Sequence, residues 1–395
     1  MKRREFLRRS ALAAGALSLP TWTGCQTVPS PHHVGPNDRI QVGFIGLGGR
    51  ARWILKDEAL PGAQVVAVAD CCVPRLDEAA RQVPGGERWH KYQHHREMLE
   101  KEKLDAVFVE TTTHARVLIC IEAIQAGLDV YAEKQRSMPI NMHASRLVRE
   151  GAIGKIHTVI VYNFLGPKAW KPKDTPDDLP AGLDWDLWCN QTELRPYYQE
   201  LQHRWSDYAD YDGGGQMWGV TGWGTHSLDQ VQCALGTDDT GPGEIRPEES
   251  GPTCRLTMRY ANGTLLKLEG AKRGMEDLGA IFVGDQGRIE ILRGDYTADP
   301  KELRENAPPV TPQGPKESIP HIENFFECMR TRKTPNAGAE IGHRATTVCH
   351  LVNICRTVQR PLQWDPKAEK FVGDAQANAL LSRPRRKGYE LPKVS

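Results

Sequence analysis

The sequence predicts a doubly wound parallel α/β sheet followed by an α+β domain with a large open, mainly antiparallel sheet, and three observations carry that prediction. An apolar run at 39–45 ends in a glycine turn, Gly46-Leu47-Gly48-Gly49-Arg50-Ala51, and helical sequence follows it to residue 60. Short apolar runs then alternate with helical stretches as far as residue 132, the order that builds a parallel sheet with helices on both faces. From about Lys155 the rhythm changes to longer alternating strands separated by turn signals, as in hairpins.

The chain opens on Met1-Lys2-Arg3-Arg4-Glu5-Phe6-Leu7-Arg8-Arg9, an apolar run at 11–19, and Pro20 through Gly24-Cys25. A basic stretch, a short apolar core and small residues at the end have the order of a secretory signal, and the core is too short to span a bilayer. Residues 1–30 are therefore set aside as a leader and 31–37 as a linker. Arg3-Arg4-Glu5-Phe6-Leu7 resembles the twin-arginine signal, whose translocase carries proteins already folded. Export to the periplasm is expected. Gly24-Cys25 resembles the end of a bacterial lipoprotein box, which makes Cys25 a candidate lipid anchor beside the plain reading of an unmodified or removed cysteine.

Without the leader roughly 365 residues remain, the size of two ordinary domains. A formal net charge of +1 offers no basic field for nucleic acid, and no other long apolar run suggests a membrane span. The expected partner is a small molecule. The ten cysteines show no metal-ligand spacing, and His32-His33 and His94-His95 have no further ligands near them, so no metal site is expected. Folding in the reducing cytoplasm before export predicts free thiols.

Residues 38–154 read as a Rossmann-like cofactor domain. Gly46 permits the tight turn, Gly48 lets backbone N–H groups approach a pyrophosphate, and Ala51 replaces the third glycine where the helix packs on the strand, with Gly49 and Arg50 also cofactor-binding candidates. The helix that starts beside Arg50 turns its positive end to the phosphates. The second strand, 64–69, ends at Asp70, the distance at which a carboxylate meets the adenosine ribose. Asp70 repels a 2′-phosphate and so favours NAD; Arg75 keeps NADP as the alternative. The competing reading of Asp70 is a cap for the next helix. A further buried strand, 105–109, runs into Glu110-Thr111-Thr112-Thr113-His114, and another, 129–132, ends at Glu133-Lys134. Thr111, Thr112, His114, Glu133 and Lys134 thus join the cofactor-binding candidates at strand ends.

The glycine turn, the Thr-x-x-His after strand 105–109 and the Glu-Lys pair together resemble the glucose-fructose oxidoreductase / inositol dehydrogenase / MocA (Gfo/Idh/MocA) family. The resemblance continues through Gly151-Ala152-Ile153-Gly154-Lys155-Ile156, Trp223-Gly224-Thr225-His226-Ser227-Leu228-Asp229 and His321-Ile322-Glu323-Asn324-Phe325. It implies an NAD(P)-dependent oxidoreductase in which Lys134 lies beside nicotinamide and substrate hydroxyl, with His226 binding substrate and relaying the proton. Three departures stand out. Glu133-Lys134 is followed by Gln135 where the family has proline. Lys134 then runs directly into Gln135-Arg136-Ser137, so about one helix–strand unit, on the order of 30 residues, is missing and the cofactor sheet should expose an edge. Gly222 stands where many relatives carry an acid, four residues before His226.

In the second domain, 155–362, strands are expected at 156–162, 253–260, 264–269, 279–283 and 288–292. Ala261-Asn262-Gly263 and Gly284-Asp285-Gln286-Gly287 read as hairpin turns. The open sheet is the expected surface for homo-oligomer contacts. A segment at 167–215 is rich in Trp, Tyr and charge, and two readings stay open: a carbohydrate cleft, or aromatics that pack a long loop. Trp205, Tyr211, Trp223, His226 and Asp229 are the substrate-binding candidates. Helical stretches at 319–331 and 339–359 are expected to cover the sheet, and 363–395 to form a wrapping arm.

A sugar, sugar acid or cyclitol is the substrate class that fits, with hydride transfer at a secondary alcohol. Outside the cytoplasm there is no free nicotinamide pool, so the cofactor should be tightly bound and recycled. An NAD-dependent glycosidase using transient oxidation is one alternative; a non-catalytic carbohydrate-binding or scaffold protein is another.

Overall fold

The computed structural model describes residues 39–57, 60–132, 136–211, 219–270, 279–312, 314 and 317–392. The leader with Cys25, the Glu133-Lys134 pair and the Gly213-Gly214-Gly215 run lie outside them.

Strands β1 (Ile40–Ile45), β2 (Ala63–Ala69), β3 (His90–Tyr92), β4 (Ala106–Val109) and β5 (Asp129–Tyr131) form a parallel sheet in the order β3-β2-β1-β4-β5. β1 and β4 are central, which is why their sequences are almost unbroken apolar runs: both faces are covered. Helices α1 (Gly49–Asp57), α2 (Val73–Gln82), α3 (His95–Lys101) and α4 (Thr113–Gln125) make the crossovers. β5 has β4 on one side and no further strand among the described residues. A sheet that stops at five agrees with the expected loss of one helix–strand unit. The chain passes instead into α5 (Pro139–Arg149), whose Ile140, Ala144 and Val148, spaced four apart, enter the core of the second domain.

Among the described residues that domain has nine strands: β6 (Ile156–Tyr162), β7 (Glu244–Pro247), β8 (Leu256–Arg259), β9 (Leu265–Gly270), β10 (Ala280–Gly284), β11 (Gly287–Leu292), β12 (Asp295–Asp299), β13 (Leu362–Asp365) and β14 (Lys370–Phe371). Their order is β12-β11-β10-β6-β9-β8-β7-β13-β14, and only β6 and β9 run parallel. Both expected hairpins are present: β8 and β9 pair Arg259 with Leu265 across Gly263 (φ +91°), and β10 and β11 pair Gly284 with Gly287. Between β6 and β7 lie the short helices α6 (Trp185–Cys189) and α7 (Gln199–His203), then α8 (Gly224–Leu235).

Two later helices, α9 (Ile319–Thr331) and α10 (Ala339–Val358), part company. α10 covers the large sheet, as expected, through Val348, Leu351, Val352 and Cys355. α9 does not: its Ile322, Phe326 and Met329 join Ile40, Phe44, Phe108 and Tyr131 in the core of the cofactor sheet. An amphipathic helix declares that one face must be buried but not against what. Here a ladder of rings receives it, with Phe44 on Phe108 (4.6 Å), Phe108 on Tyr131 (4.6 Å) and Tyr131 on Phe325 (5.5 Å).

Candidate functional site

The glycine turn leaves β1 with Gly46 at φ +86°, a left-handed conformation that side chains disfavour. Space forbids a side chain as well, since a Cβ there would lie 2.9 Å from Thr111 N and 3.0 Å from the Glu110 carbonyl on β4's exit loop. At Gly48 and Gly49 a Cβ would meet nothing within 4 Å. The turn is therefore tight against the protein behind it and open in front, at the N-terminal end of α1, where an anion is favoured. Ala51 is fully buried in the helix–strand contact. Arg50 reaches sideways, donating to Ser318 Oγ (2.7 Å) at the head of α9, with its guanidinium 5.1 Å from the Trp53 ring.

Asp70 closes the turn from the neighbouring strand. It is 6% exposed; Oδ2 accepts from Leu47 N (2.7 Å) and Oδ1 from Cys72 N (2.8 Å). The N-cap position of α2 is Cys72, which supplies no side-chain cap. Asp70 thus belongs to the glycine turn, with carboxylate lone pairs left for a ribose hydroxyl. An open glycine cradle at a helix start with a carboxylate beside it fits a dinucleotide.

At the end of β4 the loop is held by Arg116, whose Nη2 donates to Thr111 O (2.8 Å). Thr111 Oγ1 is buried without a hydrogen-bond partner among the described residues. Thr112 precedes α4, and His114 in its first turn is 5% exposed. His114 Nε2 lies 2.9 Å from the carbonyl of Trp188 and so donates to it. Burial pushes the imidazole pKa down to about 4, so the ring is neutral near pH 7. Tyr211 meets it edge to face at 4.8 Å, with Trp188 at 5.3 Å and Trp205 at 6.5 Å.

These rings belong to the aromatic segment between β6 and α8, which packs largely on itself. Trp185 stacks on Trp188 (4.4 Å), and Tyr197, Tyr198, Tyr208 and Tyr211 are all buried, Tyr211 to 1% exposure. Trp205 is half-buried against this cluster, and Trp223, at the head of α8, is half-buried against the core of the second domain. Of the candidate sugar partners, Trp205 and Trp223 therefore keep exposed surface, whereas Tyr211 is enclosed.

His226 and Asp229 sit one turn apart on α8 and line a small cavity with Arg136, Met138, Asn141 and Arg293. Arg136, 5% exposed, clasps Asp229 with two bonds, Nε to Oδ2 and Nη2 to Oδ1, both 2.9 Å. Its Nη1 donates to Asp238 just beyond the helix (2.9 Å). Both carboxylates satisfy the fork of a buried guanidinium. Across the cavity Arg293 pairs with Glu317, next to the Ser318 that receives Arg50. The two neighbours Glu317 and Ser318 thus place one backbone segment against both the cavity that holds His226 and the glycine turn. At Gly222 only the backbone is available, its carbonyl accepting from Thr225 Oγ1 (2.6 Å).

Arg136, Arg293 and Glu317 were not among the sequence candidates. Arg136 and Asp229 are 93 residues apart, and no local pattern announces their pairing. Among the described residues no three His, Cys, Asp or Glu side chains gather as metal ligands, and none of the nine cysteines is in a disulfide. His95 of the His94-His95 pair bonds Glu122 (2.6 Å), tying α3 to α4.

Two family models match the chain in tandem: "Oxidoreductase family, NAD-binding Rossmann fold" over residues 40–149, and "Oxidoreductase family, C-terminal alpha/beta domain" over 141–391. Scyllo-inositol 2-dehydrogenase (NAD(+)) of Bacillus subtilis is 28% identical over 119 residues, which are 29% of this chain. The match spans about a third (34%) of that relative's length. Among solved structures, the WlbA dehydrogenase from Bordetella pertussis, in complex with NADH and UDP-GlcNAcA, is similar with a TM-score of 0.59 at 13% identity. That likeness covers 83% of this chain and 99% of that one. An oxidoreductase domain protein from Kribbella flavida gives 0.57 at 15% identity over 82% and 99% of the two chains. Apo scyllo-inositol dehydrogenase from Lactobacillus casei gives 0.54 at 14% over 83% and 98%. At these identities the likeness establishes the shared fold.

Proposed function

The chain belongs to the Gfo/Idh/MocA oxidoreductase family, and from that premise we propose that it oxidises a secondary alcohol of a sugar, sugar acid or cyclitol, using NAD that stays bound. The observation that carries this reading is the pairing of an open glycine cradle, closed by Asp70, with a polar cavity lined by His226, Asp229, Arg136 and Arg293, the adjacent residues Ser318 and Glu317 contacting Arg50 of the one and Arg293 of the other.

When bound, NAD supplies the hydride acceptor. Gly46, Gly48, Gly49 and the start of α1 would receive its pyrophosphate, Asp70 would take the adenosine ribose, and Thr111 and Thr112 would contribute further contacts from the β4 exit. Lys134, as the resemblance implies, lowers the barrier to removing the substrate hydroxyl proton. His226 hydrogen-bonds that hydroxyl and takes the proton onward. Asp229, held by Arg136, fixes the helix turn that presents His226. Trp205 and Trp223 offer apolar faces to the C–H side of a polyol.

The leader adds export through the twin-arginine route with the cofactor already inside the folded protein and retention by a lipid on Cys25, and the open sheet of the second domain adds a surface for self-association. A bound, unreplaced cofactor suits a redox-neutral cycle: oxidation coupled to reduction of a second substrate, or transient oxidation that permits glycosidic cleavage. Incubating the purified protein with a panel of cyclitols, aldoses and aldonic acids tests the central reading. Reduction of the bound nicotinamide, limited to the amount of protein present, or formation of a converted sugar product with at least one class is the expected result, and a panel that gives neither counts against it.

A second reading, a carbohydrate-binding scaffold without turnover, draws on the five-stranded sheet and on Gly222. Sugar binding by calorimetry that survives both Lys134→Ala and His226→Ala, with no reduction of NAD, would favour it.

A further inference from the structure

The aromatic segment does more than fill space beside the cofactor domain, because it bonds to both loops that the cofactor reading assigns to the dinucleotide. At the Asp70 loop it adds a short antiparallel bridge between Cys72 and Leu183. Val73 N donates to Gly182 O (2.9 Å) and Asp184 N to Cys71 O (2.8 Å). Gly182 is required for this approach: at φ +77° a Cβ would lie 3.0 Å from Pro74. At the β4 loop, the buried His114 holds the Trp188 carbonyl.

The C-terminal arm presses on the same segment from outside. Arg386 Nη1 donates to Asp186 Oδ2 (2.8 Å) and its Nε to Asn190 O (3.0 Å), and Tyr389 Oη donates to Asp186 Oδ1 (2.8 Å). Arg96 of α3 then sits 5.9 Å from the Tyr389 ring, so the arm ends against the cofactor domain. The segment is pinned from beneath by His114 and from above by Arg386, with contacts some 74 and 200 residues distant in sequence.

We propose that His114 is a positioning residue: it anchors the aromatic segment across the Asp70 and β4 loops, and the C-terminal arm locks it there, so that the segment retains NAD. This rests on the NAD-binding reading of the glycine turn. His114 acts through Trp188. The consequence is kinetic, because among variants of one binding site differences in affinity fall mostly in the dissociation rate.

The test is stopped-flow chase of NADH fluorescence from the full-length protein, comparing wild type with His114→Ala, His114→Gln and Arg386→Ala. The Gln side chain carries an amide N–H able to donate to the Trp188 carbonyl, so it should preserve slow release. His114→Ala and Arg386→Ala should release NADH at least about tenfold faster with association nearly unchanged. Arg386→Ala alters a partly exposed contact, so it keeps the test valid if His114→Ala does not fold. Release rates that stay at the wild-type value, even with a lowered melting temperature, would overturn the inference and leave NAD binding standing. Wild-type protein that binds no NADH would overturn both.

Discussion

Two walls meet at the carboxyl ends of the cofactor strands, and they are built from different materials. The glycine turn is backbone, tight behind Gly46 and open in front of Gly48 and Gly49. The aromatic segment, bonded to the Asp70 and β4 loops, is side chain, with Trp185 stacked on Trp188, and Trp188 and Tyr211 packed on His114. Backbone N–H groups can hold a ligand without giving up packing, because their geometry is set by the turn. Aromatic rings that pack on each other are spent in doing so. On the proposed reading the first wall recognises the cofactor, the second retains it, and the chemistry falls to His226 on α8 and to Lys134.

That division can be broken most forcefully at the cavity. His226→Asn should lower turnover by about 10²- to 10⁴-fold, the range for a lost proton-transfer group, while NADH affinity stays near wild type. Trp205→Phe, on the aromatic wall, should change turnover only a few fold by the same kinetic measurement. Comparable losses at both would mean that the aromatic wall carries chemistry.

Acid sharpens the role of His114. Its pKa falls from 6.5 to about 4 on burial, so between those values the unfolded chain binds a proton that the folded chain refuses. The stabilisation is complete above pH 6.5 and declines as pH falls towards 4, amounting to about 3 kcal/mol over the interval. Urea unfolding at pH 7 and pH 4.5 should show the loss, and His114→Gln should flatten this part of the profile.

The two kinds of glycine offer a finer comparison. Gly46→Ala adds left-handed strain and a backbone clash, an expected cost of about 1–3 kcal/mol in thermal or denaturant unfolding. Gly49→Ala, at a helix start with open space beside it, should leave stability within about 0.5 kcal/mol yet weaken NADH binding. Smallest of all, Asp186→Asn removes a partly exposed ion pair with Arg386 and should cost at most about 1 kcal/mol in the same unfolding assay. Its larger signature is expected in NADH release.

Much of the cofactor half was legible in contiguous residues. Gly46 to Ala51 form a local strand–turn–helix pattern, Asp70 ends the next apolar run, and the direct run of Lys134 into Gln135-Arg136-Ser137 pointed to the five strands that the sheet shows among the described residues. Contacts distant in sequence were not legible. The side chain of Arg136 reads as an ordinary cation until Asp229 and Asp238 close on it. The apolar stripe of α9 says only that it must be buried, and the ring ladder of Phe44, Phe108 and Tyr131 decides where. For the aromatic segment, composition is the same whether Trp and Tyr line a cleft or pack a loop; burial separates Tyr211 from Trp205.

The most direct test of the whole account is to denature the purified, full-length protein and assay the supernatant for nicotinamide dinucleotide. A chain that carries its cofactor inside the fold should release NAD in stoichiometric amount. No nicotinamide released, and none bound when NAD is added to the native protein, would contradict it.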